Sequence, residues 1–512
     1  MATPNEKLAA SLAVLHKLQK DGRRVFQSKE LSRVHRERLL KQGFVREVIK
    51  GWLISSGPGA GDSTPWFASF WEFCARYCND RFGNDWHLSP GQSILLQAEN
   101  TVIPGQVIVY SPKGTNNTVK LLFGTSIYDL KQQTMPARTV LVRRAGLHLF
   151  SLAAALVRVP ASFFRRYPIE TQVALAAIKD TSEILGRLLD GGRSVIAGRL
   201  AGAFRRIGRS EFADEITAAM KAAGYAVHET DPYAPEQAFA RLEASAPPIV
   251  GRLQGAWDSM RESVIKTFPK APGLPENRSA YLGFMDDVYK SDAYHSLSIE
   301  GYSVTSELID RVRSDAWNPE GSSKDRESRD ALAARGYWQA FQLVKNAVAD
   351  IIAGKDAAPL VRAAYRGWYR ELFEPCVTAG IFPPSALAGF RSHPVFLRGS
   401  RHVPPRAEVV SDATTALFDL LTREEEPSVR AVLGHWVFGY IHPYPDGNGR
   451  MARFLMNAML ASGGYPWTVI RVEDRTEYLN ALDRASIDLD IVPFAKYVAK
   501  RARWSMRKWS KK

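Results

Sequence analysis

The chain has 512 residues, of which 45% are hydrophobic and 24% are charged. These proportions are those of a globular protein, and the length exceeds what one hydrophobic core supports, so we expect two or more domains. The longest apolar run, at about 147–157, is too short to cross a bilayer, and no apolar run follows the first charges. We therefore expect a cytoplasmic protein with no membrane partner.

The cysteine content points to the same compartment. Cys74, Cys78 and Cys376 are too few for a disulfide framework, which agrees with a reducing environment. Cys74 and Cys78 are four residues apart but have no second Cys or His pair nearby, so we expect them to be buried and inert.

The net charge of +15 is concentrated at the two ends of the chain. Residues 1–50 hold 12 Lys or Arg against 5 Asp or Glu, and residues 496–512 hold 8 Lys or Arg and no acidic residue. The sequence between them is formally neutral. Binding to nucleic acid or an acidic partner by bulk charge is therefore expected at the ends.

The first 55 residues predict three helices followed by a hairpin. Leucines at helical spacing mark a helix over 7–19, Ser28 can cap a short second helix, and a third covers 32–42. The alternating segment FVREVIKGWLI folds back at Lys50-Gly51. This order predicts a winged helix-turn-helix over 1–55. Its third helix carries the candidate DNA-contacting residues Arg33, Arg36, Arg38 and Lys41.

Two stretches of the N-terminal region carry a family likeness, VFQSKELSR…LLKQGFVREVIKGWLI and AGAFRRIGRSEFADEI…AAGYAVHETDPY. In these stretches the chain resembles the AbiEi family of antitoxins and regulators. The resemblance implies a winged helix followed by a mixed α/β domain over 56–230, with DNA as a partner. A winged helix that binds only protein is the alternative. Residues 231–285 are rich in proline around one helical segment at 249–268, which is typical of a connector.

From about 286 onward the pattern is helical, and one short segment carries the chemistry. A helix that begins at Pro427 ends before His442, because a residue that precedes a proline is pushed out of helical geometry. The loop that follows contains Asp446 and leads through Gly447-Asn448-Gly449 into a helix over 450–462.

Each residue type in this loop suits phosphoryl transfer. Gly447 and Gly449 let main-chain N–H groups approach phosphate oxygens at a helix start, and Asn448 adds side-chain donors. Arg450 and Arg453 share one helix face, so both can reach one polyphosphate.

The other two functional groups are a carboxylate and an imidazole. Asp446 can hold Mg²⁺, which prefers one or two carboxylates together with substrate phosphates. His442 can accept a proton from an attacking hydroxyl, because the ordinary pKa of histidine is about 6.5.

The segment HPYPDGNGRMAR, residues 442–453, resembles the motif HxFx(D/E)GNGRxxR of Fic-domain proteins, with Tyr444 in place of phenylalanine. The resemblance covers 286–500 and implies a mostly α-helical Fic fold that transfers AMP from ATP to a Ser, Thr or Tyr hydroxyl of a target protein. It implies His442 as general base, Asp446 as Mg²⁺ ligand, Asn448 as an α-phosphate contact, and Arg450 and Arg453 as anchors for the β- and γ-phosphates.

A second family motif lies upstream. In HSLSIEGYSVT, Ser296, Glu300 and Gly301 match the inhibitory motif (S/T)xxxE(G/N), which implies an inhibitory helix over 290–305. In the family this glutamate pairs with the second arginine of the catalytic motif, here Arg453, and occupies the γ-phosphate position. The resemblance thus implies an autoinhibited enzyme.

Three further predictions concern the rest of the C-terminal region. Residues 390–405 read as a β-hairpin flap, where Val395, Phe396 and Leu397 would hold a target segment by strand addition; an ordinary hairpin would have the same pattern. Tyr478 either contacts the adenine or belongs to the core. Residues 501–512 are expected to form a basic tail.

The expected fold class is therefore multidomain α+β, with ATP and Mg²⁺ as cofactors. Two alternative functions stand beside AMP transfer: removal of AMP from a modified target at the same site, and a DNA-binding regulator with a nucleotide-sensing Fic domain. The sequence leaves open the target, the nucleotide donor, and whether the chain forms a homo-oligomer.

Overall fold

The computed structural model describes residues 3–58, 61–235, 246–314 and 329–510. The chain forms two compact units. The first contains Met1–Arg252 together with Phe396–Val403, and the second contains Leu253–Val395 together with Pro404–Lys512. Among the described residues, no helix combines the length and apolarity that crossing a bilayer requires.

The first unit begins with two helices and a small antiparallel sheet. The elements are α1 (Pro4–Leu18), β1 (Val25–Gln27), α2 (Arg33–Lys41), β2 (Val45–Ile49) and β3 (Trp52–Ser55), with strand order β1-β3-β2. The predicted turn at Lys50-Gly51 joins β2 to β3, and Gly51 has a φ of +91°. The predicted second helix is a single 3-10 turn, Ser28–Glu30, because the Glu30 carboxylate binds the main-chain N–H of Gln27 and closes the turn.

The rest of this unit contains mostly strands first and then only helices. The helix α3 (Thr64–Phe82) precedes a four-stranded sheet, and six more helices follow a two-stranded one. The strands are β4 (His87–Leu88), β5 (Gln106–Ser111), β6 (Asn117–Lys120), β7 (Ser126–Lys131), β8 (Leu141–Arg144) and β9 (Leu147–Phe150). The order is β4-β5-β7-β6, with β5 and β7 parallel, and β8 pairs with β9. The helices are α4 (Pro90–Gln97), α5 (Leu152–Leu156), α6 (Ala161–Arg166), α7 (Pro168–Ala176), α8 (Ser182–Leu189), α9 (Ser194–Arg206) and α10 (Ser210–Ala222).

One aromatic core explains why the two predicted N-terminal domains form a single unit. Trp52 and Ile54 of β3 pack in the same buried cluster as Trp66, Phe70 and Phe73 of α3. Separating the sheet from α3 would expose these rings to water, so the two parts are held together by the hydrophobic effect.

The cysteines are buried and free, as expected. Cys74 and Cys78 lie in the aromatic core, where burial raises the pKa of both thiols and keeps them protonated.

The prediction of a β-hairpin over 390–405 is wrong. Residues 390–405 form no pair of strands with one another. Instead, the N–H of Val403 donates to the carbonyl oxygen of Thr101 at 3.1 Å, and Arg401 accepts from the N–H of Ile103 at 2.9 Å. Prolines at both ends, Pro394 and Pro404-Pro405, lack the N–H groups that a hairpin ladder would use.

The second unit is helical. The helix α11 (Pro248–Thr267) begins in the first unit and continues into the second. The other helices of the second unit are α12 (Arg278–Ile299), α13 (Ser306–Arg313), α14 (Arg329–Ile352), α15 (Ala357–Thr378), α16 (Val410–Arg423), α17 (Pro427–Ile441), α18 (Asn448–Ala461), α19 (Arg475–Asp488) and α20 (Val492–Trp509). The predicted inhibitory helix corresponds to α12, which starts earlier and ends at Ile299, because Gly301 has a φ of +88° and leaves the helix.

The predicted basic tail is also wrong, because α20 continues to Trp509. Arg501 is buried and donates its Nε–H to the carbonyl oxygen of Val469 at 3.0 Å. The Trp509 ring packs edge-on against Tyr281 and Phe284 of α12. These contacts give the last helix an apolar face that composition alone did not reveal.

The glycine that follows α18 gives a testable prediction about stability. Gly464 has a φ of +78°, and a Cβ there would lie 1.7 Å from the carbonyl oxygen of Gly273. We expect Gly464→Ala to lower the free energy of unfolding by more than about 1 kcal/mol. Gly283 of α12 has open space around it, so Gly283→Ala should raise that free energy by about 0.5–1 kcal/mol. Urea denaturation followed by circular dichroism measures both, and equal effects would contradict the packing described.

Candidate active site

His442 lies at the C-terminal end of α17 in a left-handed conformation, with a φ of +52°. Pro443 excludes a further helical turn, as expected. The main-chain N–H of His442 still donates to the carbonyl oxygen of Phe438 at 3.0 Å. The ring atom Nδ1 is 3.3 Å from the carbonyl oxygen of Gly439. A carbonyl only accepts, so this contact places the ring proton on Nδ1 and leaves Nε2 free as a base.

The pKa of His442 lies below the ordinary value for histidine. Burial is the main cause, and the positive charge of Arg391 acts in the same direction. The contact with Gly439 and the carboxylates of Glu300 and Asp446 oppose the shift without cancelling it. The ring is therefore neutral at physiological pH, which is the form that accepts a proton.

Asn448 closes the loop that follows His442. Its Oδ1 accepts from the main-chain N–H of Tyr444 at 2.9 Å, and its Nδ2 donates to the carbonyl oxygen of Tyr444 at 2.8 Å. The side chain is buried. Oδ1 and Nδ2 of Asn448, the atoms predicted to contact the α-phosphate, are thus both hydrogen-bonded to the loop itself. Asn448 therefore stabilises the conformation of the loop.

Asp446 is the carboxylate available for a metal. Its side chain is 49% exposed, one oxygen accepts from the N–H of Gly447 at 2.6 Å, and the other is 3.6 Å from Nη2 of Arg450. Within the described ranges, no three His, Cys, Asp or Glu side chains converge as a metal site. A single half-exposed carboxylate fits Mg²⁺ that takes its other ligands from phosphate and water.

Arg450 is a buried cation with unused hydrogen-bond donors. Its side chain is 1% exposed and its guanidinium lies over the rings of Phe373 and Tyr302, at 5.0 and 5.2 Å from their centroids. Across the part of the chain that the structure describes, Nε and Nη2 of Arg450 and Nη1 of Arg453 have no hydrogen-bond partner. Buried donors of this kind are costly unless an anion satisfies them.

Ser296 and Glu300 occupy the remaining donors of Arg453. Nε donates to Ser296 Oγ at 2.8 Å, and Nη2 donates to the carbonyl oxygen of Ser296 at 3.0 Å and to Oε1 of Glu300 at 2.7 Å. Burial by itself would raise the pKa of Glu300, but the attraction of Arg453 and then Arg450 outweighs it and holds that pKa below the ordinary value. The carboxylate is ionised and paired.

Glu300 also lies against the first turn of α18. A Cβ at Gly449 would lie 2.2 Å from Oε1 of Glu300, so only glycine permits this approach. The start of a helix attracts negative charge. The carboxylate therefore sits where the two arginines and the helix start all favour an anion.

The structure thus brings together ten residues that the sequence predicted for catalysis, nucleotide binding and inhibition. They are Ser296, Glu300, Gly301, His442, Asp446, Gly447, Asn448, Gly449, Arg450 and Arg453. Tyr478 is 2% exposed, and its hydroxyl lies 2.8 Å from Nε2 of His435 and also interacts with Arg453, so both alternatives for this residue stay predictions. Val395 belongs to the second unit, whereas Phe396 and Leu397 belong to the first; their target-docking role stays a prediction.

The candidate DNA-contacting residues are oriented in different ways. Arg33 pairs with Glu37 at 2.7 Å on the surface, and Lys41 is exposed. Arg38 instead donates to Ser11 Oγ and to the carbonyl oxygen of Lys7 in α1, both at 2.7 Å. Arg36 is half-buried and lies 3.4 Å from the carbonyl oxygen of Ser28.

Sequence reasoning missed several residues of the site. Asp292 lies one helical turn before Ser296 and accepts from the hydroxyl of Tyr337 at 2.6 Å; burial raises its pKa to about 6. Its helical spacing from Ser296 was a usable signal. Phe373, Tyr302 and Arg391 carried no such signal, because they reach the site only through the packing of distant segments.

The geometry agrees with comparisons to known proteins. The model of the Fic/DOC family matches residues 359–460, which include the whole catalytic motif. Residues 359–460 are a Fic domain. The region from the inhibitory motif to the start of this match lies outside the family model.

Two curated relatives carry the same family name. A protein adenylyltransferase Fic from Nematostella vectensis is 30% identical over 269 residues, which are 52% of this chain and 58% of the relative. Protein adenylyltransferase fic-1 from Caenorhabditis elegans is 34% identical over 113 residues, which are 21% of this chain and 22% of the relative. The chain thus spans less than two thirds of either relative.

Two solved structures are also similar. Fic-1 (residues 134–508) from C. elegans has a TM-score of 0.38 and 17% identity. The match covers 70% of this chain and 91% of the solved chain. A Fic-domain signaling protein from Bacteroides thetaiotaomicron has a TM-score of 0.36 and 21% identity, and covers 51% of this chain and 97% of its own.

Tyr444, the departure from the family motif, gives a second prediction. The ring is buried and stacks on Tyr369 with centroids 3.7 Å apart, but its hydroxyl has no hydrogen-bond partner among the described residues. We expect Tyr444→Phe to leave the free energy of unfolding unchanged or to raise it by up to about 1 kcal/mol. Tyr337→Phe is the control, because it removes the hydroxyl that donates to the buried Asp292 carboxylate and should lower that free energy by about 1–3 kcal/mol. A loss of stability in Tyr444→Phe as large as that in Tyr337→Phe would contradict the idle hydroxyl.

Proposed function

We propose that the Fic domain transfers AMP from ATP to a hydroxyl group of a protein. The observation that carries the proposal is the cluster of unused buried donors on Arg450 and Arg453 at the start of α18, beside the neutral ring of His442. A polyphosphate offers several acceptor oxygens to the donor atoms that have no hydrogen-bond partner among the described residues, and its negative charge suits both guanidinium groups. The names of the curated relatives agree with this chemistry.

The proposed reaction needs one proton transfer and one displacement. Nε2 of His442 accepts the proton of the target hydroxyl, whose oxygen forms a bond to the α-phosphorus of ATP. The bond from that phosphorus to the bridging oxygen breaks, and pyrophosphate leaves with the electron pair. The main-chain N–H groups at the start of α18 and the guanidinium of Arg450 stabilise the charge on the phosphate oxygens. Asp446 would hold Mg²⁺, which neutralises part of that charge.

We further propose that Glu300 keeps the enzyme inactive. Its carboxylate binds Nη2 of Arg453 at 2.7 Å and lies beside Gly449, in the place proposed for the terminal phosphate. One guanidinium edge cannot serve a carboxylate and a phosphate at once, so the two compete. Productive ATP binding then requires displacement of Glu300.

This competition predicts the outcome of one substitution. Glu300→Gly should raise self-labelling from α-³²P-ATP by about 5- to 150-fold, the range typical of one coupled site. The increase arises because Arg453 becomes free to bind the terminal phosphate. Autoradiography of purified protein measures the label.

The matched control is the double variant Glu300→Gly with His442→Ala. It should bind a fluorescent ATP analogue as Glu300→Gly does, yet take up no label, because the base is absent. Equal labelling of wild type and Glu300→Gly would remove the switch, and labelling of the double variant would remove His442 as the base.

We also infer that residues 1–55 form a winged helix-turn-helix that contacts DNA. The order of α1, α2 and the hairpin β2–β3, with β1 as third strand, supports this class. Arg33 and Lys41 are the exposed cations among the four predicted contacts and face solvent from α2.

The DNA contact can be tested through its salt dependence. Each phosphate contact adds about 0.9 to the slope of log affinity against log salt concentration. For a duplex of the chain's own promoter, we expect the double variant Arg33→Gln with Lys41→Gln to reduce that slope by about 2. Lys355→Gln, which neutralises an exposed lysine in the second unit, should leave it unchanged. An affinity that does not respond to salt would contradict DNA contact through α2.

A further inference from the structure

Arg391 is a buried cation that binds the main chain around the catalytic histidine. It is 3% exposed. Its Nε donates to the carbonyl oxygen of His442 at 2.8 Å, and its Nη2 donates to that of Ile441 at 3.2 Å. The main-chain N–H of Arg391 donates to the carbonyl oxygen of Pro443 at 2.9 Å. One residue therefore holds three successive carbonyl groups.

These contacts act on the two rotations that define the conformation of His442. The Ile441 carbonyl belongs to the peptide group before His442, and the His442 carbonyl belongs to the peptide group after it. A guanidinium that holds both carbonyls fixes the orientation of both peptide planes, and hence the direction of the bond from Cα to Cβ. A left-handed conformation is unfavourable for a residue other than glycine and persists only where its surroundings impose it.

The same guanidinium is tied to the segment that follows Arg391. Nη1 donates to the carbonyl oxygen of His393 at 3.2 Å, and Nη2 donates to that of Pro405 at 2.5 Å. Four carbonyl groups thus surround one planar cation. A lysine has all its donors on one atom and cannot reproduce this fork.

We propose that Arg391 is a positioning residue for His442, because its grip on the Ile441 and His442 carbonyls sets the conformation that directs the imidazole toward the incoming hydroxyl. This inference rests on the proposed AMP transfer. Arg391 touches neither the hydroxyl nor the nucleotide in this scheme; it acts through the main chain of the base.

The charged groups that act on His442 are Glu300, Arg391 and Asp446. Arg391 lowers the pKa of the ring, and the two carboxylates raise it. Loss of the arginine charge therefore raises this pKa and leaves less neutral base at low pH. A residue with a merely structural role would reduce the rate by the same factor at every pH.

The test compares Arg391→Lys and Arg391→Gln in the active Glu300→Gly background. We expect kcat for labelling to fall by on the order of 10²-fold in Arg391→Gln, with KM for ATP within about twofold, because the nucleotide is held by α18 and its arginines. Arg391→Lys keeps the positive charge but cannot bind both carbonyl groups, so its kcat should fall. The acid limb of its pH profile should stay where it is, because the charge near His442 is unchanged. In Arg391→Gln the acid limb should move to higher pH.

Arg501→Lys and Arg501→Gln are the matched controls, because Arg501 is a buried arginine that binds the carbonyl of Val469 instead of the catalytic loop. They should keep kcat within about twofold. Thermal unfolding accompanies each variant, and if Arg391→Gln does not fold, Arg391→Lys carries the test. Unchanged kcat in a folded Arg391→Lys, or equal losses in the Arg501 variants, would overturn the proposal. No labelling by Glu300→Gly with Arg391 intact would overturn the proposed function instead.

Discussion

Two buried guanidinium groups side by side are the constraint on which the candidate active site depends. Arg450 is 1% exposed and Arg453 is 3% exposed, and both lie at the start of the same helix. Burying cations of like charge is unfavourable unless negative charge or ring faces compensate them. The site supplies two aromatic rings and the Asp446 carboxylate for Arg450, and a serine and a glutamate for Arg453. The guanidinium donors that these contacts leave without a hydrogen bond among the described residues are the part of the site that suits a polyphosphate.

The same burial bears on the ion pair of Glu300 and Arg453, which we propose to be inhibitory. A surface ion pair contributes little, because water screens it and both side chains lose freedom. Glu300 and Arg453 differ, since Arg453 is almost fully buried and has Ser296 as a second partner. Displacing the carboxylate without replacing it would leave a buried positive charge unpaired. A phosphate can replace it, so the same desolvation that holds the pair together also favours an exchange of one anion for another.

A second set of contacts fixes the loop itself. Asn448 ties both main-chain polar groups of Tyr444, and Arg391 ties the carbonyls on both sides of His442. Both act on the main chain, so the proposed base and phosphate cradle are held by residues that need not touch substrate. The same hydrogen bonds serve stability and the proposed function, because a motion that breaks them would also displace the proposed base His442.

Local chemistry could be predicted from the sequence wherever its cause is local. Pro443 removes His442 from the helix, and Gly301 ends α12 beside Glu300. The N-terminal hairpin followed from alternation about Lys50-Gly51. The prediction of a hairpin over 390–405 was wrong because this segment forms main-chain hydrogen bonds with Thr101 and Ile103, about three hundred positions away. A strand-like sequence pattern does not show which segment it pairs with.

The sequence by itself determined the candidate base, the candidate phosphate cradle and the candidate metal ligand, since all lie within 442–453 and their spacing follows from one helix end and one helix start. Tertiary structure alone decided which groups surround them. It bound the Asn448 amide to the main chain of Tyr444, placed the Tyr478 hydroxyl beside His435, and brought Arg391, 51 residues before His442, to the carbonyl oxygen of His442. Helical and strand periodicities encode which face of an element is apolar, whereas the pairing of distant faces is settled only when their side chains pack.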